Sequence, residues 1–298
     1  MSRDWQDLPE RSNPFWIRTI TWIALHLGRG VARCLLYPIT AYFMLVRNQT
    51  LKASRRYLLK ALGRTPTWLD SFRQYHTFAG TLLDRLFVLA GREDTLKVHV
   101  QGLDLIEHYA NAKQGCLLLG SHLGSFEIIR VLGRLRLDLR VKALMDGEAT
   151  PGISRFYRSL NPALHDDIIA SGHPAALIGV NDFMQQGGML ALLGDRCLPN
   201  ERRVACRFFD EQVDFPQTPI LLAQALRQPV LLFFCLQTGW GEYRLYFEPL
   251  TDSPTAERSA REAETQRLMQ AYVERLEHYC RLAPYNWFNF HDLLPSSS

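Results

Sequence analysis

Two stretches of this chain are apolar at nearly every position: "CLLLGS" at 116–121 and "GMLALLGD" at 188–195. A strand with one wet face alternates apolar with polar residues. A strand without that alternation has to be covered on both faces, and this is the habit of parallel sheets sandwiched between helices. The surrounding texture agrees. From residue 95, strand-like and helix-like runs take turns: "LKVHVQG" and "LDLIEHYANAKQ", "CLLLGS" and "SFEIIRVLGRL", "RVKALM" and "PGISRFYRSL", "DIIASG" and "PAALIGVNDFMQQG", then "GMLALLGD". The expected fold class is α/β, a mostly parallel central sheet flanked by helices. "VACRFFDEQVDF" follows as a strand pair turning at 210–212, then a short helix "TPILLAQALRQ" and the strands "PVLLFFCLQ" and "YRLYFEPL". Residues 255–282 read as one long amphipathic helix, and the aromatic tail "APYNWFNFHDLLP" is expected to pack back on the body.

The front of the chain is different. Between Arg11 and Leu69 there is no Asp or Glu, but there are Arg11, Arg18, Arg29, Arg33, Arg47, Lys52, Arg55, Arg56, Lys60 and Arg64. With a net charge of only +4 overall, a basic front end precedes a mildly acidic body, which calls for an anionic partner surface. The same region holds "FWIRTITWIALHLGRGVARCLLYPITAYFMLV" (15–46). Its uncharged run, Cys34–Val46, is shorter than the roughly 20 residues that span a bilayer as a helix. At about 100° per residue, Arg18, Arg29 and Arg33 share one stripe with His26 close by, as in a helix lying in a membrane interface with its basic side toward headgroups. Pro38 is expected to break or kink that helix. A surface helix packed on the core, or a slanted or re-entrant segment, are the other readings. Nucleic acid is disfavoured, because large apolar residues dominate the stretch. The division expected is 1–91, an N-terminal helical membrane-associated region, and 92–298, an α/β catalytic domain.

The chemistry-bearing stretch is "GCLLLGSHLGSFEIIR" (115–130). Ligands in parallel α/β sheets sit beyond the carboxyl ends of the strands, where His122 follows a buried strand. Gly120 and Gly124 are expected to clear room for a substrate. Glu127, in the first turn of the next helix, can return its carboxylate to the imidazole and raise the basicity of the far nitrogen, and Arg130 can keep Glu127 ionised. The plainer reading of a lone His and Glu at this spacing is a helix cap or a core hydrogen bond. There is no G-x-S-x-G for a serine nucleophile and no HExxH. The six cysteines form no CxxC, and four lie in apolar runs as buried thiols. Neither metal nor cofactor is called for.

Taken together, "LLLGSHLGSFEIIR", "LLGDR" (192–196), "VACRFFDEQVDFPQTPILLAQALRQPVLLFF" (204–234) and "APYNWFNFHDLL" (283–294) resemble the lysophospholipid acyltransferase superfamily. More narrowly they resemble its lipid A lauroyl/myristoyl transferase group, with a flavour closest to predicted acyltransferases of aryl-polyene lipid gene clusters in Gram-negative bacteria. The resemblance implies transfer of a fatty or polyene acyl group from acyl carrier protein, or from acyl-CoA, to a hydroxyl of a lipid acceptor at the cytoplasmic face of the inner membrane. It implies His122 as base and Glu127 as its acidic partner (an HX4E motif), and makes Asp195 and Arg196 the Asp–Arg pair after the later strand. Phe215 and Pro216 open a Phe–Pro–x–Gly–Pro block, in which this chain has Thr218 for the Gly. An oxyanion formed on the thioester needs donors; Arg196, or the backbone N–H groups at Gly124 and Ser125, are the candidates. A hydrolase using the same dyad on water, and a non-catalytic lipid-binding protein, are the competing functions.

Overall fold

A computed structural model describes residues 14–46, 48–92, 95–126, 128–129, 139–145, 168–170, 174–198, 201–254, 257, 259–291 and 293. The two apolar runs are neighbours in it. They form β2 (Cys116–Gly120) and β5 (Met189–Leu193), parallel and in register from Cys116↔Met189 to Gly120↔Leu193. The seven-stranded sheet runs β1 (Lys97–Gln101), β9 (Glu242–Thr251), β8 (Val230–Gly239), β2, β5, β3 (Val141–Met145), β4 (Ile168–Ala170). Every pairing is parallel except the β8–β9 hairpin.

Alternation sorts the strand residues into two cores. Leu117, Leu119, Leu190, Leu192, Leu232 and Phe234 face Leu268, Tyr272 and Leu276 of helix α8 (Arg261–Leu282), with Tyr57 and Leu58 of α3 (Asn48–Leu62) in the same cluster. Cys116, Leu118, Met189, Ala191, Leu231 and Phe233 face Ile106 and Tyr109 of α5 (Leu103–Asn111). This is why β2 needs no polar position: both faces are dry, and each fully buried leucine contributes roughly 2 kcal/mol. Helix α6 (Pro174–Gln185) leads into β5; the helix expected at 151–160 and most of the one expected at 125–135 lie outside the described residues.

Helix α4 (Trp68–Leu89) starts on a capping box. Asp70 N donates to Thr67 Oγ1 at 3.3 Å and Thr67 N donates to Asp70 Oδ2 at 2.7 Å, so two N–H groups that the first turn leaves open are satisfied. Against α4 pack α1 (Pro14–Leu27) and α2 (Arg29–Val46), and here two expectations are corrected. The break falls at Gly28, whose φ of +88° suits a residue without Cβ; Pro38 stays inside α2, on its exposed side. The polarity of α2 is also reversed. Arg29 and Arg33 point inward, Arg29 Nη2 to Asp84 Oδ1 at 2.7 Å and Arg33 Nη1 to Asp84 Oδ2 at 3.5 Å, with Arg33 buried. The face turned outward is apolar: Val31, Leu35, Pro38, Tyr42 and Leu45 fall on one stripe at about 100° per residue. Leu45 is 75% exposed and Tyr42 62%. Among the described residues no helix is long and apolar enough to cross a membrane.

The hairpin of β6 (Arg203–Phe208) and β7 (Glu211–Pro216) turns at Phe209–Asp210, earlier than expected. Both residues have left-handed φ, 50° and 65°, the signature of a two-residue hairpin turn. A phenylalanine is an unusual choice there, but Phe209 N donates to Glu277 Oε2 at 2.6 Å and its ring packs edge-on against Phe208 and Tyr57. Helix α8 begins at Arg261, inside the expected 255–282. The aromatic tail does pack back: Trp287 and Phe288 are buried. Four cysteines, Cys116, Cys206, Cys235 and Cys280, are buried free thiols.

Candidate active site

β2 and β5 end level with each other at Gly120 and Leu193. The ladder continues for one more bond, from Gly194 N to Gly120 O at 2.9 Å. His122 and Asp195 each stand two residues past their strand, so equal overhangs from adjacent parallel strands bring them together. His122 Nδ1 lies 2.8 Å from Asp195 Oδ1, and the His122 backbone N–H donates to Asp195 Oδ2 at 3.0 Å. Trp287 Nε1 donates to the same Oδ2 at 3.0 Å. Asp195 is fully buried and the His122 side chain is 27% exposed.

Burial alone would raise the pKa of Asp195. The His122 imidazole, then Arg196 and the His122 amide, outweigh it and hold the carboxyl at about 2. An ionised acceptor fixes hydrogen on Nδ1 and leaves the lone pair on Nε2. Burial, followed by the nearby Arg196 cation, lowers the pKa of His122 against the pull of Asp195. The imidazole therefore stays neutral at neutral pH, the form a base needs.

The third side of the site is the tail. Phe288 N donates to His122 O at 2.9 Å, and Leu123 and Trp287 pair as an antiparallel bridge. Asn286 ties the tail to β8: its Oδ1 accepts from Gln237 N at 2.7 Å and its Nδ2 donates to Gln237 O at 3.2 Å. Gln74 of α4 donates to Trp287 O at 2.6 Å. Arg196 Nη2 donates to Phe288 O at 3.0 Å. Below the site, Tyr272 donates its hydroxyl to Gly120 O at 2.9 Å.

The expected site residues fall in different places. The carboxylate found on the imidazole is Asp195; Glu127 and Arg130 lie outside the described residues. The amides of Gly124 and Ser125 are not open to an oxyanion, because Gly124 N donates to Asn286 O at 2.8 Å and Ser125 N to Cys235 O at 2.9 Å. Gly124 and Gly120 admit protein rather than substrate. A Cβ on Gly124, at φ +71°, would meet Cys235 O at 1.7 Å, and one on Gly120 would meet the Phe233 ring at 2.4 Å. Phe215 is a core residue packed edge-on against Phe208, and Pro216 is buried. Thr218 sits exposed at the start of helix α7 (Thr218–Leu226). Arg196 is beside the imidazole, as its effect on His122 requires. Trp287 and Tyr272 were not singled out from the sequence. The equal offset of His122 and Asp195 from the two apolar runs was the available signal for their pairing.

An imidazole held by a buried carboxylate at the carboxyl edge of a parallel sheet is an arrangement able to take a proton. The family of bacterial lipid A biosynthesis acyltransferases matches residues 71–295, most of the chain and every element of this site, and the protein belongs to that family. It is an O-acyltransferase that acts on lipid. No individual curated protein matches it.

Proposed function

We propose that His122 Nε2 is the base in transfer of a fatty or polyene acyl group from a thioester, on acyl carrier protein or CoA, to a lipid hydroxyl. The observation that carries this is the 2.8 Å contact of Nδ1 with buried Asp195. His122 Nε2 takes the hydroxyl proton as the alcohol oxygen bonds to the thioester carbon, and the carbonyl electrons move onto oxygen. Arg196 faces that developing charge. When the carbonyl re-forms, the C–S bond breaks and the sulfur leaves with its electron pair. It takes the proton back from the imidazolium, giving ester and free thiol. Glu127, at its family spacing, belongs to the same proton path.

The acceptor is greasy, and the outward stripe of α2 supports its recruitment. We assign the apolar residues Val31, Leu35, Tyr42 and Leu45 to the lipid interface of the inner membrane, cytoplasmic side, where exposed apolar area is favourable. The exposed cations Lys52 and Arg55 of α3 supply attraction to anionic headgroups. The test uses purified protein with acyl thioesters and vesicles containing a hydroxylated lipid. Labelled lipid ester is the expected product, and free acid as the main product would make the protein a hydrolase. The double variant Leu35→Glu, Leu45→Glu should remain in the supernatant when vesicles are pelleted while it keeps its fold; co-sedimentation equal to wild type would move the membrane contact elsewhere.

The pH profile follows from the lowered His122 pKa. The unperturbed imidazole value is 6.5, and depression keeps the base unprotonated below it. The acid limb of transfer should therefore be centred below that value. An acid limb centred above the unperturbed value would contradict a base held neutral by its surroundings.

A further inference from the structure

The committed amides of Gly124 and Ser125 leave the oxyanion short of donors, and the tail offers one. Phe288 and Phe290 both turn to α4, their rings 5.1 and 5.4 Å from that of Phe78. Residues 287–290 form no helix and run beside His122 and Leu123. Odd-numbered side chains of such a segment lie on the opposite face. Trp287 on that face reaches Asp195, and His291 on it feels the charges of Arg196 and His122. Asn289 is the residue between them in this alternation. Its side chain is buried, 2% exposed, and among the described residues neither its Oδ1 nor its Nδ2 has a hydrogen-bond partner.

An unpaired buried carboxamide is costly, and buried polar groups are partnered in the great majority of proteins. One more unpartnered polar atom adjoins the same pair of site residues: Arg196 Nε, next to Asp195. Arg196 is itself hydrogen-bonded to Phe288 O, the residue before Asn289. The unpartnered Asn289 carboxamide and the unpartnered Arg196 Nε thus lie on two of the segments that meet at the imidazole.

Resting on the acyl-transfer reading above, we propose that the Asn289 carboxamide is a catalytic residue, donating its Nδ2 hydrogen to the thioester carbonyl oxygen as that oxygen becomes an oxyanion. It acts with Arg196 and neither gains nor loses a proton. It is unpaired in the free enzyme because its acceptor arrives with the acyl donor.

The test compares wild type, Asn289→Leu and Asn289→Gln for kcat, KM and melting temperature, with His122→Ala as the inactive control. Removing one oxyanion donor lowers kcat by about 10²–10³-fold. Asn289→Leu should show that loss with KM within about threefold and a melting temperature equal to or above wild type, since a buried unpaired group has been removed. Asn289→Gln should keep more activity than Asn289→Leu. Wild-type kcat in Asn289→Leu would sink the Asn289 assignment and leave the acyl-transfer reading standing. So would a melting temperature lowered in Asn289→Leu and restored in Asn289→Gln, which marks a structural amide. Wild type that transfers acyl groups from neither thioester would remove the acyl-transfer reading and this assignment with it.

Discussion

Transfer by His122→Ala is expected to fall to background, a loss on the order of 10²–10⁴-fold, with the fold intact because the side chain is part-exposed at a strand end. Asp195→Asn should come close to it in activity and go further in stability. The carboxylate accepts three N–H groups, two from His122 and one from Trp287. A carboxamide has one acceptor oxygen and turns an NH₂ toward at least one of those donors. The imidazole is then free to take the wrong tautomer, the situation that costs Ser-His-Asp enzymes on the order of 10⁴-fold. Glu127→Gln should cost less, because Nδ1 has one hydrogen and Asp195 already accepts it. Initial rates of the three variants with one thioester and one lipid acceptor decide the order. A Glu127→Gln enzyme slower than Asp195→Asn would reassign the partner to Glu127.

The largest stability effect is expected at Asp84 on α4. Its carboxylate is the counter-ion of Arg29 and of Arg33, and accepts from the Tyr243 hydroxyl at 2.7 Å and Gln237 Nε2 at 3.2 Å. Asp84→Ala leaves Arg33, 3% exposed, as a buried cation without its counter-ion. Breaking such a pair from one side costs about 3–5 kcal/mol, read as a lower urea midpoint at unchanged slope. The paired change Arg33→Met, Asp84→Leu should recover a good part of it, since no lone charge is left inside. If Asp84→Ala unfolds within about 1 kcal/mol of wild type, the pair is wetter than its burial suggests.

The sheet was legible because its strands say nothing else. "CLLLG" and "MLALL" have no polar position to offer water, so both faces had to be covered, and the parallel order follows. His122 was legible from the same fact, since it is the first titratable group after the strand. The contact of Asp195 with its imidazole was not, because Asp195 is 73 residues away and arrives only through strand adjacency. The arginine stripe misled for a related reason. Periodicity gave the face that Arg29 and Arg33 share, but not its direction. Asp84, 55 residues beyond Arg29, turned that face inward and left leucine and tyrosine outside. Gly120 and Gly124 were seen as space for a ligand; the space is filled by Phe233 and the Cys235 carbonyl.

Trp287 and Asn286 come off the ribosome long after His122 and Asp195, and yet the carboxylate is not fully satisfied until the indole arrives. A nascent chain can therefore pair its central strands while its imidazole still lacks the tail that positions the acid. The site is completed last, after the outward stripe of α2 has been made, so the lipid contact proposed for that stripe would form before the chemistry proposed for the imidazole.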